Sequence, residues 1–176
     1  MVDKVRAEAM ELKLWDDPKV PPTYEQLQKC TYLEAVIQET LRLYPPVTSL
    51  SRYETDEDFT YKGYHFGGCV IGINIYAMHR HPALWKNPEA FRPERFLDGS
   101  EENIADKWIP FSRGPRNCIG KYFATMEAKL AVSAISIRFD SECVDPNETL
   151  AQAVLAFPFK GAKVKFRPRK QPAVGN

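Results

Sequence analysis

The segment FSRGPRNCIG, Phe111–Gly120, places one cysteine in the company of two arginines and two glycines, directly before a long helical pattern. A helix N-terminus carries unpaired N–H groups and a partial positive charge, and nearby arginines add to that charge. Both features favour a thiolate over a thiol at Cys118. Gly114 and Gly120 permit a positive φ angle and a close approach of the backbone to a bulky ligand. The segment therefore predicts a loop that holds a thiolate beside a flat cofactor.

Two other interpretations of Cys118 remain open from the residues alone. A free cysteine is most often a small buried hydrophobe. A nucleophilic or redox-active cysteine would need a partner histidine or a resolving cysteine, and the sequence places neither close to Cys118. The other cysteines, Cys30, Cys69 and Cys143, form no C-x-x-C pair with it or with each other. We therefore expect reduced thiols rather than a zinc site or a disulfide framework.

The composition is that of a globular chain with a core. Its 176 residues are 44% hydrophobic and 27% charged, and we expect one domain over residues 1–176. The formal net charge of +1 argues against general nucleic-acid binding. No apolar run approaches the roughly 18 residues of a membrane span, and the charged segment after Met1 is unlike a signal peptide.

Helical patterns precede the cysteine loop. Residues 1–14 have a helix-forming composition. We predict a short helix from about Tyr24 and a longer one over Tyr32–Tyr44, which Pro45 ends because it cannot continue a helix. Capping-box spacing occurs before each of the latter two, at Thr23–Gln26 and at Thr31–Glu34.

A third helical pattern follows the loop directly. The alanine-rich segment after Gly120 predicts a long helix that ends near Phe139. Its predicted apolar stripe consists of Phe123, Met126, Leu130 and Ala134.

Strand patterns occur in two places. Phe59–Phe66 and Cys69–Tyr76 are rich in β-branched and aromatic residues, and they are parted by Gly67–Gly68, which predicts a hairpin. A final hairpin is predicted between Ala153–Phe159 and Ala162–Arg167. Together with the helices, these strands predict an α+β fold that is mainly α. A proline-rich segment with little periodicity, His81–Asn103, lies between the two sets of strands, and its length indicates a functional or tightly packed region.

Three motifs in a fixed order resemble the cytochrome P450 superfamily. FSRGPRNCIG fits F-x-x-G-x-R-x-C-x-G at each specified position. ETLR, Glu39–Arg42, fits E-x-x-R, and FRPERF, Phe91–Phe96, contains P-E-R-F. ETLR alone would indicate only a surface pair at helical spacing. The three together resemble the carboxy-terminal part of this family over nearly the whole chain: the E-x-x-R helix, a small sheet, the proline-rich meander, the cysteine loop with its helix, and a terminal hairpin.

The resemblance implies a role for each loop residue. Cys118 would be the axial thiolate on haem iron, whose electron donation favours O–O cleavage. Arg116 would pair with a haem propionate through its planar fork of donors. Phe111 would pack beside the sulfur and tune its donation. Gly114 and Gly120 would give the loop its turn and let the backbone approach the porphyrin.

Four further residues gain expected roles from the resemblance. Arg52 would be a second propionate-binding arginine, although a solvated strand arginine is an equally simple interpretation. Glu39, Arg42 and Arg95 would form a buried ion network that clamps the proline-rich segment behind the cysteine loop. We count these three as structural, and we expect substitution of Glu39 to cost bound haem rather than merely slow turnover.

The implied activity is that of a haem-thiolate monooxygenase with haem b, which inserts one atom of dioxygen into an apolar small molecule. Electrons would come from NADPH through a reductase that docks near Arg113 and Lys121. The long central helix of the family, with its acid–alcohol pair, is expected to lie outside these residues. Two alternatives therefore stay open: a haem-binding module without monooxygenase activity, and a non-catalytic interaction domain. The full-length family pattern implies the cytosolic face of the endoplasmic reticulum membrane, and this chain alone would be cytoplasmic.

The remaining candidates have mainly structural interpretations. His79 and His81 are two residues apart, but without a third ligand nearby we expect hydrogen-bonding roles rather than a metal pair. His65 is predicted on a strand surface. PVTSL, Pro46–Leu50, and LAFPF, Leu155–Phe159, correspond to family segments that border the substrate pocket, and core packing is the alternative.

Overall fold

A computed structural model of the chain describes residues 1–53, 58–144, 150–152, 156–158 and 163–169. These residues form a mixed fold of helices and small two-stranded sheets, which confirms the predicted α+β class. The helices are α1 Val2–Glu11, α2 Tyr24–Gln28, α3 Thr31–Leu43, α4 Ile75–His79, α5 Ile104–Lys107 and α6 Lys121–Arg138, with a 3-10 turn at Pro93–Phe96. The strands are β1 Ser49–Tyr53, β2 Phe59–Tyr61, β3 Tyr64–Phe66, β4 Val70–Asn74, β5 Phe139–Cys143, β6 Leu150–Gln152, β7 Ala156–Pro158 and β8 Val164–Pro168.

The hydrophobic core lies where α1, α3 and α6 meet. Its buried members on α1 and α3 repeat at helical spacing, because residues three and four apart share one face of a helix, and two more lie just outside these helices, at Leu14 and Cys30. The buried members are Val5, Ala9, Leu14, Cys30, Leu33 and Ile37. None of the helices within the described ranges combines the length and the apolar character needed to cross a bilayer.

The starts of α2 and α3 show different kinds of capping. At α2 the predicted capping box is confirmed: Thr23 Oγ1 accepts the Gln26 N–H, and Gln26 Oε1 accepts the Thr23 N–H. At α3 the predicted box is wrong, because Cys30 is the N-cap residue and makes no side-chain cap bond. Glu34 lies on α3 and binds Lys129 of α6 instead, at 2.8 Å.

A carboxylate from another helix supplies the missing cap of α3. Glu8 Oε1 accepts the Tyr32 N–H at 2.7 Å, and Glu8 Oε2 accepts the Leu33 N–H at 2.8 Å. The negative charge also faces the positive end of the α3 dipole. This long-range cap fixes the start of α3 against α1.

Buried polar contacts, together with the half-buried Ala128 and Val132 that pack against the core, hold α6 in place. Phe123 is 74% exposed, whereas Lys129 and Ser133 are fully buried. Lys129 Nζ donates to the Leu27 carbonyl at 3.0 Å and to Glu34, and Ser133 Oγ accepts the Trp15 Nε1–H at 3.0 Å. The helix is therefore predicted correctly, and its predicted stripe only in part: Met126, Leu130 and Ala134 are half-buried, whereas Phe123 is exposed.

An arginine near the amino end joins α1 to the carboxy-terminal region. Arg6 donates to the Ser136 carbonyl at 2.7 Å, to the Phe139 carbonyl at 2.8 Å and to Asp140 Oδ1 at 2.7 Å. Asp140 also accepts from Arg169, at 2.7 Å. Helix α1 and Arg169, which follows the last described strand, thus meet at the carboxylate of Asp140.

The first predicted hairpin is wrong in its strands and in the position of its turn. β2 pairs with β3 inside Phe59–Phe66, and β4 pairs with β1 in antiparallel register. Lys62 and Gly63 both have positive φ angles, 50° and 82°, as the tight turn of a two-residue hairpin requires. The chain therefore turns at Lys62–Gly63, and the glycines at 67 and 68 only lead from β3 to β4.

The predicted final hairpin is also wrong in its pairing. β7 pairs with β6, and β8 pairs with β5, which follows α6 directly. Across the β5–β8 pair, the Phe139 and Phe166 rings meet edge to face at 5.8 Å, and Glu142 lies opposite Lys165. Aromatic and opposite-charge pairs of this kind stabilise an antiparallel pair.

We predict that Glu8→Ala lowers the free energy of unfolding by about 1–2 kcal/mol, since the N–H groups of Tyr32 and Leu33 lose their acceptor. Glu11→Ala is the matched control, because Glu11 lies exposed at the end of the same helix. Urea unfolding followed by circular dichroism measures both. Equal losses in the two variants would contradict the capping role of Glu8.

Candidate functional site

The cysteine loop closes on itself through backbone hydrogen bonds. The Cys118 N–H donates to the Phe111 carbonyl at 2.8 Å, and the Asn117 N–H donates to the Gly114 carbonyl at 3.0 Å. Gly114 has a φ of +82°, so the turn needs the conformational freedom of glycine at that position. The fold thereby presents the Cys118 thiol on an exposed loop.

Exposed apolar side chains follow the thiol in the sequence. Ile119 is fully exposed and Phe123 is 74% exposed. A Cβ atom built at Gly120 would lie 3.9 Å from Cys118 Sγ, so the absence of a side chain at 120 keeps the approach to the sulfur clear. Gly120 itself has a φ of −83° as the N-cap of α6, and it does not need left-handed backbone freedom. This arrangement suits a large, flat, apolar ligand.

The two arginines of the loop differ in their surroundings. Within the described part of the chain, the exposed Arg116 guanidinium has neither an ion-pair nor a hydrogen-bond partner, so it is available to an anionic group. Arg113 forms an ion pair with Asp106 and donates to the Ala105 carbonyl at 3.3 Å. The positive charge of Arg113 is therefore already partly neutralised.

Aromatic rings support the start of the loop. The half-buried Phe111 ring meets the Trp108 ring edge to face, with centroids 6.4 Å apart. Trp108 Nε1–H donates to the Gln38 carbonyl on α3 at 3.0 Å. The residues just before the loop are thus attached to the E-x-x-R helix.

Several predicted residues lie wholly or partly outside this description. The backbone of Arg52 belongs to β1 and lies opposite Ile71, but its side chain is outside the described residues. Leu155 and Phe159 of LAFPF are outside them too. In PVTSL, Thr48 is buried and its carbonyl accepts the Tyr76 N–H at 3.1 Å. The proposed contacts of these residues with a ligand stay predictions.

A buried ion network lies behind the loop and contains all three predicted members. Glu39, Arg42 and Arg95 each have fully buried side chains. Arg42 binds Glu39 with two parallel bonds, Nε to Oε2 at 2.7 Å and Nη2 to Oε1 at 2.9 Å. Arg95 Nε donates to Glu39 Oε1 at 3.1 Å. Such a cluster stabilises one geometry only when each charge is paired and each donor has an acceptor.

The arginine donors that remain are satisfied by the irregular segment. Arg42 donates to the carbonyls of His79 and Pro88 at 2.8 Å and 2.7 Å, and to that of Ala90 at 3.2 Å. Arg95 donates to the carbonyls of Lys86, Asn87 and Ala90. The proline-rich segment is therefore fixed by side chains rather than by a strand ladder.

The network also has two members that sequence reasoning missed. Glu101 Oε1 accepts from Arg95, and Glu101 Oε2 accepts from Lys107 Nζ at 2.8 Å. Lys107 Nζ lies 4.4 Å from the centroid of the buried Trp85 ring, which also faces Arg42 and Arg95 at 5.2 Å and 5.8 Å. Nothing in the local pattern distinguishes the buried Glu101 from the exposed Glu102 beside it.

The surroundings of Glu101 set its charge. Burial would raise the pKa of Glu101, but the hydrogen bonds from Lys107 and the Lys86 N–H and the charges of Lys107 and Arg95 outweigh it. The pKa of Glu101 is therefore lower than usual, and the carboxylate stays ionised inside the network.

His79 is a fully buried histidine with both ring nitrogens engaged. Nδ1 lies 3.2 Å from the Arg42 carbonyl, and Nε2 accepts the Ile109 N–H at 3.0 Å. Burial lowers the pKa of His79 to about 4, and the charges of Arg42 and Arg80 act in the same direction. The predicted hydrogen-bonding role is confirmed for His79, and the exposed His81 accepts the Ala83 N–H at 3.2 Å.

Comparison with known proteins gives one consistent result. A family model described as Cytochrome P450 matches residues 1–166. Cytochrome P450 4c3 of Drosophila melanogaster is 37% identical over 88% of this chain, and human cytochrome P450 4V2 is 42% identical over 85%. The solved structure titled retinoic acid bound cyanobacterial CYP120A1 is 34% identical, covers 96% of this chain and superposes with a TM-score of 0.85. The chain spans 29% of the length of both relatives and 38% of the CYP120A1 chain.

We predict that Glu101→Gln destabilises the fold by about 3–5 kcal/mol, because Arg95 and Lys107 lose a buried counter-charge. Glu102→Gln changes an exposed side chain next to it and should stay within about 0.5 kcal/mol of the parent. The midpoints of urea unfolding provide the measurement. A small effect at Glu101 would mean that water or rearrangement compensates the two cations.

We also predict a loss of stability in mild acid through His79. Its pKa is about 4 in the fold against an ordinary 6.5, so the unfolded chain takes up the proton first. The contribution of neutral, buried His79 to the free energy of unfolding is complete above pH 6.5. It falls as the pH is lowered towards 4, by about 3 kcal/mol in all. Unfolding free energies measured at pH 7, 6, 5 and 4.5 should show this slope in the parent and not in His79→Gln. The same slope in both proteins would assign it to other groups.

Proposed function

The chain belongs to the cytochrome P450 family, and on that premise we propose that residues 1–176 form the haem-binding part of a haem-thiolate monooxygenase. Members of this family bind haem b, with NADPH and a reductase as the usual source of electrons. These residues would be a partial domain, the carboxy-terminal region of the family fold. The relatives at 37% and 42% identity support it, as does the superposition on CYP120A1.

The observation that carries the proposal is the exposed thiol of Cys118 on a loop attached to a buried ion network. An accessible sulfur, a clear approach above Gly120 and an apolar surface at Ile119 and Phe123 together fit a flat macrocycle. Cys118 would supply the axial thiolate of the iron. When bound, haem b would supply dioxygen activation, with one oxygen atom inserted into an apolar substrate and the other released as water.

The residues around the sulfur have distinct proposed tasks. Arg116, which is exposed and free of partners among the described residues, would bind one propionate, and Arg52 the other. Phe111 would pack against the sulfur and limit its access to water, since its carbonyl already binds the Cys118 N–H. Gly114 and Gly120 would keep the loop turned and its surface close to the macrocycle.

Electron delivery is proposed on the face that carries the cysteine loop. Arg113 and Lys121 would meet acidic residues of an NADPH-dependent reductase. Arg113 is exposed but shares its charge with Asp106, so an acidic partner would compete with an existing ion pair. Lys121 Nζ lies 4.8 Å from the Tyr122 ring centroid. The family pattern places such an enzyme at the cytosolic face of the endoplasmic reticulum membrane, and we include this location in the proposal.

A second candidate function is a haem-binding module without monooxygenase activity. The specific observation in its favour is the apolar surface at Ile119 and Phe123, which is open to water in this chain. A haem group on that surface would be exposed to solvent on its other face. Oxidation of an apolar substrate that depends on NADPH and a reductase would favour the monooxygenase, whereas haem binding without such turnover would favour the module.

We predict that the purified chain with added haem, reduced and exposed to carbon monoxide, gives the red-shifted Soret band of a thiolate ligand. Cys118→Ala should abolish this band, because the mutant lacks the donor sulfur. Cys143→Ala is the matched control, since Cys143 is also an exposed free cysteine but lies on β5. Retention of the band in Cys118→Ala, or its loss in Cys143→Ala, would contradict the assignment. Failure of the parent chain to bind haem would leave the interaction domain as the better description.

A further inference from the structure

A single imidazole connects the buried ion network to the segment that carries the thiol. His79 is the last residue of α4, and its side chain is fully buried. On one side it faces the last turn of α3 at Arg42, and on the other it faces the backbone of Ile109. Ile109 lies two residues before Phe111, where the cysteine loop begins.

The two partners fix the tautomer of His79. The Ile109 amide can only donate, so Nε2 must present its lone pair at 3.0 Å. Nδ1 then carries the hydrogen and donates it to the Arg42 carbonyl at 3.2 Å. That carbonyl lacks an intrahelical partner because the residue four positions later is Pro46, which has no N–H. His79 therefore satisfies an acceptor and a donor that no neighbouring backbone group serves.

The connection continues from Ile109 to the sulfur-bearing residue. The chain passes through Pro110 to Phe111, and the Phe111 carbonyl accepts the Cys118 N–H at 2.8 Å. Trp108, just before Ile109, is attached to α3 through its bond to the Gln38 carbonyl. The Trp108 bond holds a side chain, whereas the His79 bond holds the backbone that leads into the loop.

We propose that His79 is a positioning residue that sets the location of the cysteine loop relative to the Glu39–Arg42 network through the Ile109 amide. Its effect on an iron ligand rests on the proposed haem-binding function. The effect of His79 on the backbone of Ile109 and Cys118 does not depend on haem binding, and this effect can be measured without haem.

Two substitutions test the two hydrogen bonds of the imidazole one at a time. In His79→Asn the amide nitrogen can replace Nδ1 and donate to Arg42, but the side chain is too short to reach Ile109. In His79→Gln the amide oxygen can replace Nε2 and accept the Ile109 N–H. His81→Asn is the matched control, because His81 is exposed and lies two residues away. A purely structural role for His79 would make the Asn and Gln variants alike.

The first readout is amide hydrogen exchange in the full chain without haem. We expect about tenfold faster exchange at Ile109 and Cys118 in His79→Asn, because roughly one hydrogen bond is lost. In His79→Gln we expect near-parental exchange at both amides. Leu33, whose N–H binds Glu8, reports on the remainder of the fold and should not change in either variant. Unaltered exchange at Ile109 in His79→Asn, or equal acceleration in both variants, would overturn the proposal.

The second readout is the ferrous–CO spectrum of the same proteins with haem. We expect the thiolate band to persist in the parent, His81→Asn and His79→Gln, and to give way to the band of a non-thiolate form in His79→Asn at equal haem content. A preserved band in His79→Asn would overturn the effect on the ligand. If the parent shows no thiolate band, the haem-binding proposal fails, and the exchange measurement still decides whether His79 positions the loop.

Discussion

The carboxylate of Glu39 is the interaction on which the arrangement of the site depends. It is fully buried, accepts two bonds from Arg42 and one from Arg95, and also accepts the Arg92 N–H at 2.8 Å. These donors come from α3 and from both ends of the 3-10 turn, so one side chain joins a regular helix to a segment without a strand ladder. A buried carboxylate is stable in such a place only with charged partners, and the partners are then fixed as well.

This constraint explains how an irregular segment can support a loop. From Leu84 to Ala90 the backbone has neither helix nor strand to satisfy its carbonyl groups, and the guanidinium and ammonium groups of the network supply donors instead. The segment then carries Trp108 and Ile109 back to α3 and His79. The cysteine loop is therefore exposed at its surface and anchored at its base, which combines access for a ligand with a defined position.

Local signals predicted the four longer or capped helices, α1, α2, α3 and α6. The short helices α4 and α5 were not predicted, and α4 begins inside the predicted strand Cys69–Tyr76. Long-range strand pairing is not contained in such local patterns. The capping box at Thr23 and the proline that ends α3 act within a few residues, so the sequence pattern contains them. Strand partners were mispredicted because β4 and β8 pair with strands distant in the sequence, and short apolar runs do not specify a partner. The E-x-x-R and P-E-R-F motifs identified three members of the network. Glu101 and Lys107 could not be found, since burial, not residue type, distinguishes them from neighbouring charges.

The contact of Arg6 with the carboxy-terminal region has a consequence for the order of folding. Its bond to the Ser136 carbonyl spans 130 residues, and the Trp15–Ser133 bond spans 118. The entropy of closing so large a loop rises only slowly with length, so the final stability is little affected. The folding rate is affected more, because contacts at large sequence separation slow the formation of the native topology. Helices α3 and α6 can form early from local interactions, and we expect the docking of α6 with α1, at the largest sequence separation, to be the slow step that completes the core.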